Sequence, residues 1–256
     1  MSWKKFGLSI IFICVLVLAF MRIDFSNMTL VHWRDLQHIV SGLMQPEWTY
    51  LYDGSQEDLL SLMIETINIA FFGTVLGSVL AFPLALLASK RIIGRKLQSL
   101  SSVIKGFFAF LRAIPALIYG ILFVRIVGPG PFAGALALSI QVVGMVGKLV
   151  AEACDQIEGQ PIEAFEASGA SVWQVFQYAK LPQIMAKTFT YILTHFEINV
   201  RSATVLGLVG AGGIGAPIIF ALQQRDWSKV SIILLSIIVV VLLIDYLNAI
   251  LRHKLK

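Results

Sequence analysis

The chain has 256 residues, 57% of them hydrophobic and only 14% charged, with a formal net charge of +5 and a mean hydropathy of +0.82. A soluble domain of this length could not hide so much apolar surface, so composition points to a polytopic membrane protein, which the long apolar runs below make all-α. The basic excess does not indicate nucleic acid, because it clusters beside apolar spans; Cys14 and Cys154 form no C-x-x-C and no disulfide is expected, and His32, His38, His195 and His253 lack ligand spacing.

Lys4-Lys5 precede an apolar run from Phe6 to Met21 that no small-residue cleavage site follows, so it is expected to be a retained first span. From Arg22 to Asp58 the sequence is polar and aromatic, with Trp33, Trp48, Tyr50 and Tyr52, as suits an interfacial segment outside the membrane. Residues 1–58 therefore form one region and 59–256 the core. A second span is predicted from about Leu59 to Ala88, ending at Lys90-Arg91 and Arg95-Lys96. A third runs from about Val103 to Val127. Gly128-Pro-Gly-Pro131 then turns into a fourth, roughly Phe132 to Ala151. A fifth is expected from Pro182 to about Thr204, a glycine-rich segment follows, and the last is roughly Val230 to Leu251. Six helices with both termini cytoplasmic satisfy the positive-inside bias, since Lys4, Lys5, Lys90, Arg91, Arg95, Lys96, Lys180, Lys187, Arg252, Lys254 and Lys256 then share one side.

Between the fourth and fifth spans lies the only long polar-to-amphipathic interlude of the second half, Pro161 to Pro182. Pro161 suits a first helical position, and Glu163 and Glu166 favour the positive end of a short helix. Ala164, Ala167, Ser168 and Ser171 share a small-residue face that a partner could approach closely. Gly169 can end that helix, and Ser171 with Gln174 forms a capping box for a second, whose Val172, Trp173 and Phe176 are expected against the bundle. Leu181-Pro182 is expected to stop it. A DNA-binding helix-turn-helix is excluded, because the acidic residues face a lone Lys180 and no basic surface exists for phosphate.

Gly210-Ala-Gly212-Gly213-Ile-Gly215 fits G-x-G-x-x-G, yet it follows a membrane helix rather than a strand, and no Lys-Ser/Thr follows it. Nucleotide binding is therefore not expected here; the alternative is a tight or re-entrant segment in which glycines permit unusual backbone angles. Charged residues inside spans are expensive and face cavities or partners. His195, Glu197, Asn199 and Arg201 in the fifth span, with Arg112 in the third, form a candidate substrate pathway whose arginines favour an anion. Glu65, Arg125, Lys148 and Asp245 extend the list. The competing reading is internal ion pairing with snorkelling at helix ends.

Glu163-Ala164, Gly169 and Leu181-Pro182 stand at the spacing E-A-x-x-x-x-G, eleven residues, L-P, which is similar to the cytoplasmic coupling loop of ABC importer permeases. Arg112-Ala-Ile-Pro-Ala-Leu-Ile, the Gly128-Pro-Gly-Pro turn and the stretch Asn199 to Gly215 resemble the phosphonate branch of that family, over about Glu65 to Lys256. Phe165 stands where the family usually has a second alanine, and Ala179 where it has isoleucine. The resemblance implies a type I importer permease in a bacterial inner membrane, forming a homodimer with a second permease copy and working with two ABC ATPase subunits and an extracytoplasmic substrate-binding protein. On that reading the chain is not an enzyme and takes no cofactor of its own, ATP being bound by the partner subunit. Glu163, Ala164, Ala167, Ser168, Gly169, Leu181 and Pro182 would form the ATPase-coupling surface. The competing functions are a permease for another small solute such as methionine, an ion-gradient-driven secondary transporter, for which no internal repeat is evident, and a membrane enzyme, for which no H-E-x-x-H or base-linked nucleophile exists.

Overall fold

The computed structural model describes residues 3–23, 33–52, 54, 58–94 and 97–254. Arg95, Lys96 and Lys256 of the positive-charge pattern lie outside the described residues, as do the side chains of Lys4, Lys5 and Lys254. The described residues are helical, without a strand, and cluster into two compact units, Met1–Ser41 and Gly42–Lys256. The first unit holds α1 (Trp3–Arg22), whose side chains from Ile10 to Met21 are exposed all round, as on a helix that meets lipid. An amphipathic helix, α2 (Trp33–Leu43), follows, and a short 3-10 turn at Trp48–Leu51 carries part of the aromatic segment.

In the second unit the central pair is α3 (Leu59–Ala88) and α7 (Pro131–Asp155), the most extensive helix contact among the described residues. Asp58 caps α3 by accepting from the Ser61 amide at 2.9 Å. The pair can approach so closely because the facing positions are small. A Cβ on Gly73 would lie 2.8 Å from that of Leu138, and one on Gly77 would lie 2.6 Å from that of Val142. Around this pair stand α4 (Lys90–Ile93), α5 (Gln98–Ala113), α6 (Ala116–Val127), α8 (Gly159–Ala167), α9 (Val172–Gln174), α10 (Leu181–Gly207), α11 (Gly215–Gln223) and α12 (Trp227–Lys254). α10 packs on both members of the pair and α12 packs on α10.

Among the described residues α3, α7 and α12 are long and apolar enough to cross a membrane, and the α5–α6 pair makes a fourth span if taken together. The third expected span, from about Val103 to Val127, falls on this pair and is broken within it. α5 and α6 meet at 85°, broken at Ile114-Pro115. Pro115 has no N–H for a continuing helix and holds Ile114 extended (φ −96, ψ 122). The Tyr119 hydroxyl donates to the Leu111 carbonyl at 3.0 Å, so one group freed by the break is satisfied inside the protein. The two other expected spans coincide with α1, which has an apolar stretch at Ser9–Arg22, and with α10, which has 27 residues but carries Lys187, Glu197 and Arg201.

Replacing Gly77 by valine should separate α3 from α7, since the added carbons meet the Ser139 carbonyl and Val142. A cost of about 1–3 kcal/mol is expected, read as a lowered thermal midpoint of the detergent-solubilised protein, with Gly106→Ala (open space around Cβ) as the silent control.

Candidate functional site

Two polar regions lie at different levels of the same helices. α7 and α10 each run from the Pro161–Pro182 interlude to the glycine-rich segment, about 37–40 Å at 1.5 Å per residue, so these two features stand at opposite ends of the bundle.

At the first end, α7 stops at Asp155. Its carboxylate accepts from the Ser89 hydroxyl and the Lys105 ammonium, each at 2.7 Å, tying the ends of α3 and α7 to the middle of α5. Ile157 is buried, and the Glu158 amide donates to Gln183 Oε1 at 2.9 Å, which fixes the start of α8 against α10. Pro161 falls in the first turn of α8 rather than at its first position, still where no intrahelical N–H is required. α8 ends as the sequence predicts. Gly169 takes φ 80, its N–H donates to the Glu166 carbonyl, and Ala170 N–H donates to the Phe165 carbonyl, the paired bonds of a Schellman motif. Ser171 caps the next helix and Gln174 returns the bond, so the expected capping box is present.

Two expectations for the second limb are corrected. The chain does not stop at Leu181-Pro182; six residues, Val175–Lys180, form a π-helix that runs directly into α10. The wider turn lets Leu181 N–H reach the Phe176 carbonyl, and Pro182, lacking an N–H, sits in the first turn of α10. The same change of register turns the apolar side. Val172 is 86% and Trp173 67% exposed, whereas Val175 and Ala179 are buried in their place, with Phe176 half-buried. Trp173 lies against Phe176 with the rings tilted by 30°, and Phe165 of α8 stacks on Tyr178 at 6.4 Å and 11°, holding the two limbs in a fixed elbow. Glu163, Ala164, Ala167, Ser168 and Gly169 form an unbroken exposed run, while Leu181 is half-buried and Pro182 exposed at the elbow's root.

Along α10 the other candidates separate. Glu197, with 16% of its side chain exposed, accepts from Arg201 at 2.7 Å and from Arg252 of α12 at 3.0 Å, and Arg201 also faces Asp245 at 3.9 Å. Asn199 is buried and donates to Thr74 of α3 at 2.8 Å. His195 is buried on another face and shares no bond with Glu197 among the described residues. Arg112 is half-buried at the end of α5, beside Gly144 of α7, and no bond joins it to the α10 set among the described residues. The geometry therefore brings Glu197 and Arg201 together, adds Arg252 and Thr74, which the sequence reading missed, and leaves Arg112 apart. Arg252 is seven residues after Asp245 on α12, two turns along one face, a spacing that could have flagged it.

At the opposite end, the glycine segment folds back onto α3 and α7. Gly210, Gly212 and Gly213 have φ between 76 and 83, a region side-chain-bearing residues avoid. Gly213 N–H donates to Glu65 Oε1, Ile214 N–H to the Thr66 hydroxyl, and Gly130 N–H to the Gly210 carbonyl, each at 2.9 Å. These three amides are thereby engaged within the protein and dock the segment on α3 and α7.

The family described as the binding-protein-dependent transport system inner membrane component matches residues 73–256. The phosphite transport system permease protein PtxC of Stutzerimonas stutzeri is 37% identical over 194 residues, 76% of this chain and 70% of its own length. The phosphate-import permease protein PhnE of Mycolicibacterium smegmatis is 31% identical over 98% of this chain and 46% of its own. Among solved structures, a chain of the MetNI methionine ABC transporter in an inward-facing conformation superposes with a TM-score of 0.65 at 21% identity, over 77% of this chain and 96% of that one. That likeness concerns the fold.

Removing the Glu197 carboxylate with Glu197→Ala should leave Arg201 and Arg252 with one distant acid between them. A loss of about 3 kcal/mol, the low end for breaking a buried pair because Arg201 is half exposed, is expected as a lowered thermal midpoint in detergent, while Glu197→Gln, which keeps an acceptor, should lose less.

Proposed function

Since the chain belongs to the binding-protein-dependent transport system inner membrane component family, we propose that its cargo is a phosphorus oxyanion, whether phosphonate, phosphite or phosphate, and that its exposed elbow docks a separate ATPase. The cargo assignment rests on the relatives, which are named for phosphite, phosphate and phosphonate transport. The observation that carries the docking assignment is the unbroken exposed run Glu163–Gly169 on a braced helix–turn–helix at one end of the bundle. A monomer has no reason to rigidify an outward elbow with a Schellman turn, a capping box and a ring stack unless something presses on it. Glu163, Ala164, Ala167, Ser168 and Gly169 would contact the ATPase, with Leu181 and Pro182 anchoring the elbow on α10.

On this reading both termini and the elbow are cytoplasmic, the glycine segment faces outward where a substrate-binding protein delivers cargo, and a second permease copy completes the pathway. ATP chemistry belongs to the partner; this chain contributes the lever. Closure of an ATPase pair pulls on α8, and the Asp155 clasp with Ser89 and Lys105 passes that displacement to α3 and α5 at once. The arginine side chain of Arg201, half exposed yet aimed by Glu197 and Asp245, would offer positive potential to a passing anion. His195 and Asn199 would hold the packing of α10, and Arg112 would lie beside the broken span.

Gly169→Asp should insert normally, since its Cβ meets open space, but strain the left-handed turn and add charge on the docking face. Loss of ATPase co-purification and of oxyanion uptake is expected; normal values of both would remove the docking assignment. Arg201→Gln leaves Glu197 paired with Arg252, so assembly should survive while oxyanion uptake falls several-fold. Unchanged uptake would return Arg201 to a purely structural role.

A further inference from the structure

A cavity of about 470 Å³ lies at the glycine-segment end of the second unit, and Glu65 and the glycine segment described above form part of its wall. Its polar wall is Glu65 of α3, Gln224 and Lys229, and its apolar wall includes Ala216, Pro217 and Phe220 of α11. Two of these groups, Glu65 and Lys229, already have partners within the protein. Glu65 Oε1 accepts from Gly213 N–H at 2.9 Å, and among the described residues no second donor reaches the carboxylate. The Lys229 ammonium stands 5.9 Å over the Tyr50 ring and 3.5 Å from Asp226, a half-exposed pair that an incoming anion can replace. Between Gln224 and Asp226, Arg225 is held in the left-handed region at φ 55, a strained turn of the kind that collects at binding sites.

We propose that this cavity is an entry site on the permease itself for a phosphorus oxyanion that keeps one P–O–H and carries an apolar substituent, such as an alkylphosphonate or phosphite monoanion. The inference rests on the oxyanion reading of the function. The Lys229 ammonium and the Gln224 amide donate to the anionic oxygens. The Glu65 carboxylate can only accept, so it rewards a ligand that brings its own proton and repels one that does not, such as sulfate. The carbon or hydrogen on phosphorus turns to Phe220 and Pro217, where a fourth oxygen would lose its hydrogen bonds. The volume, many times the ~30 Å³ share of one water, leaves room for an organic substituent. Because Glu65 also docks the glycine segment, occupancy of the cavity is felt directly by the loop that closes this end of α10.

The test uses the full chain with its co-purifying subunits in nanodiscs, without binding protein, and radiolabelled methylphosphonate as the probe. Saturable binding by the wild-type protein is expected, with phosphite competing and sulfate not. Lys229→Gln should weaken methylphosphonate binding at least tenfold. Glu65→Gln keeps a carbonyl oxygen for Gly213 N–H, so the segment stays docked, and sulfate should now compete. Ala216→Trp, which fills the cavity without touching either charge, should abolish binding. Absence of saturable wild-type binding, or wild-type affinity in Lys229→Gln and Ala216→Trp, or sulfate competing equally before and after Glu65→Gln, would each overturn the site. Cellular uptake of methylphosphonate, phosphite and phosphate separates the two levels. Uptake by wild type and unchanged uptake by the variants removes the site alone, whereas no wild-type uptake of any of the three removes the oxyanion reading and the site together.

Discussion

The close approach of α3 and α7 is the constraint on which the rest of this structure depends. In a bilayer the hydrophobic effect does little to drive one apolar helix against another, so association relies on dispersion contact, and contact at short range requires small residues at the seam. Gly73 and Gly77 on α3 meet Leu138, Ser139 and Val142 on α7 with no room for another carbon. Gly134 on α7 fits under the Ala211 carbonyl in the same manner, and Gly147 faces the Phe108 ring. The seam thereby sets where α5, α10 and the glycine segment must lie.

Once that pair is fixed, the polar groups have little choice of partner. Thr74 bonds back to the Ala70 carbonyl at 2.6 Å and receives the Asn199 amide, which pins α10 to α3 in the middle of the bundle. Glu197 gathers one arginine from its own helix and one from α12, and Asp155 gathers Ser89 and Lys105 at one end. Buried charge is costly unless paired, so such clusters specify which helices meet rather than adding much net stability. They also give the bundle stiff connections between its ends: α7 and α10 join the elbow to the glycine segment without a break inside either helix. A displacement imposed on the elbow has few soft places in which to dissipate before it reaches the opposite end.

Local signals were legible in the sequence wherever they depend on a few neighbouring residues. The Gly169 stop and the Ser171–Gln174 capping box follow from backbone rules that act over one turn, and the bounds of α3 from its apolar run and basic flank. The Ile114-Pro115 break carried its own signal, a proline in mid-span, but its 85° bend did not, since neighbouring helices decide whether a proline kinks a span or divides it. The π-helix at Val175–Lys180 was illegible for a similar reason. Sequence rules place Pro182 as a stop, and only the packing of Val175 and Ala179 onto the bundle makes a widened turn preferable to a break.

The sequence by itself determined the class of this protein: apolar spans at membrane length, basic residues gathered beside them, an E-A-x-x-x-x-G elbow between the fourth and fifth spans, and glycines that had to serve backbone geometry, because composition and local backbone preference carry that information. Tertiary structure alone decided which charges meet across helices. Arg252 reaches Glu197 across 55 residues, Glu65 reaches Gly213 across 148, and Lys229 shares a cavity with both Glu65 and the glycine segment. The physical reason is that a charge in a low-dielectric bundle takes the partner that helix packing brings within reach, and that packing is fixed by small-residue seams far along the chain from the charges themselves.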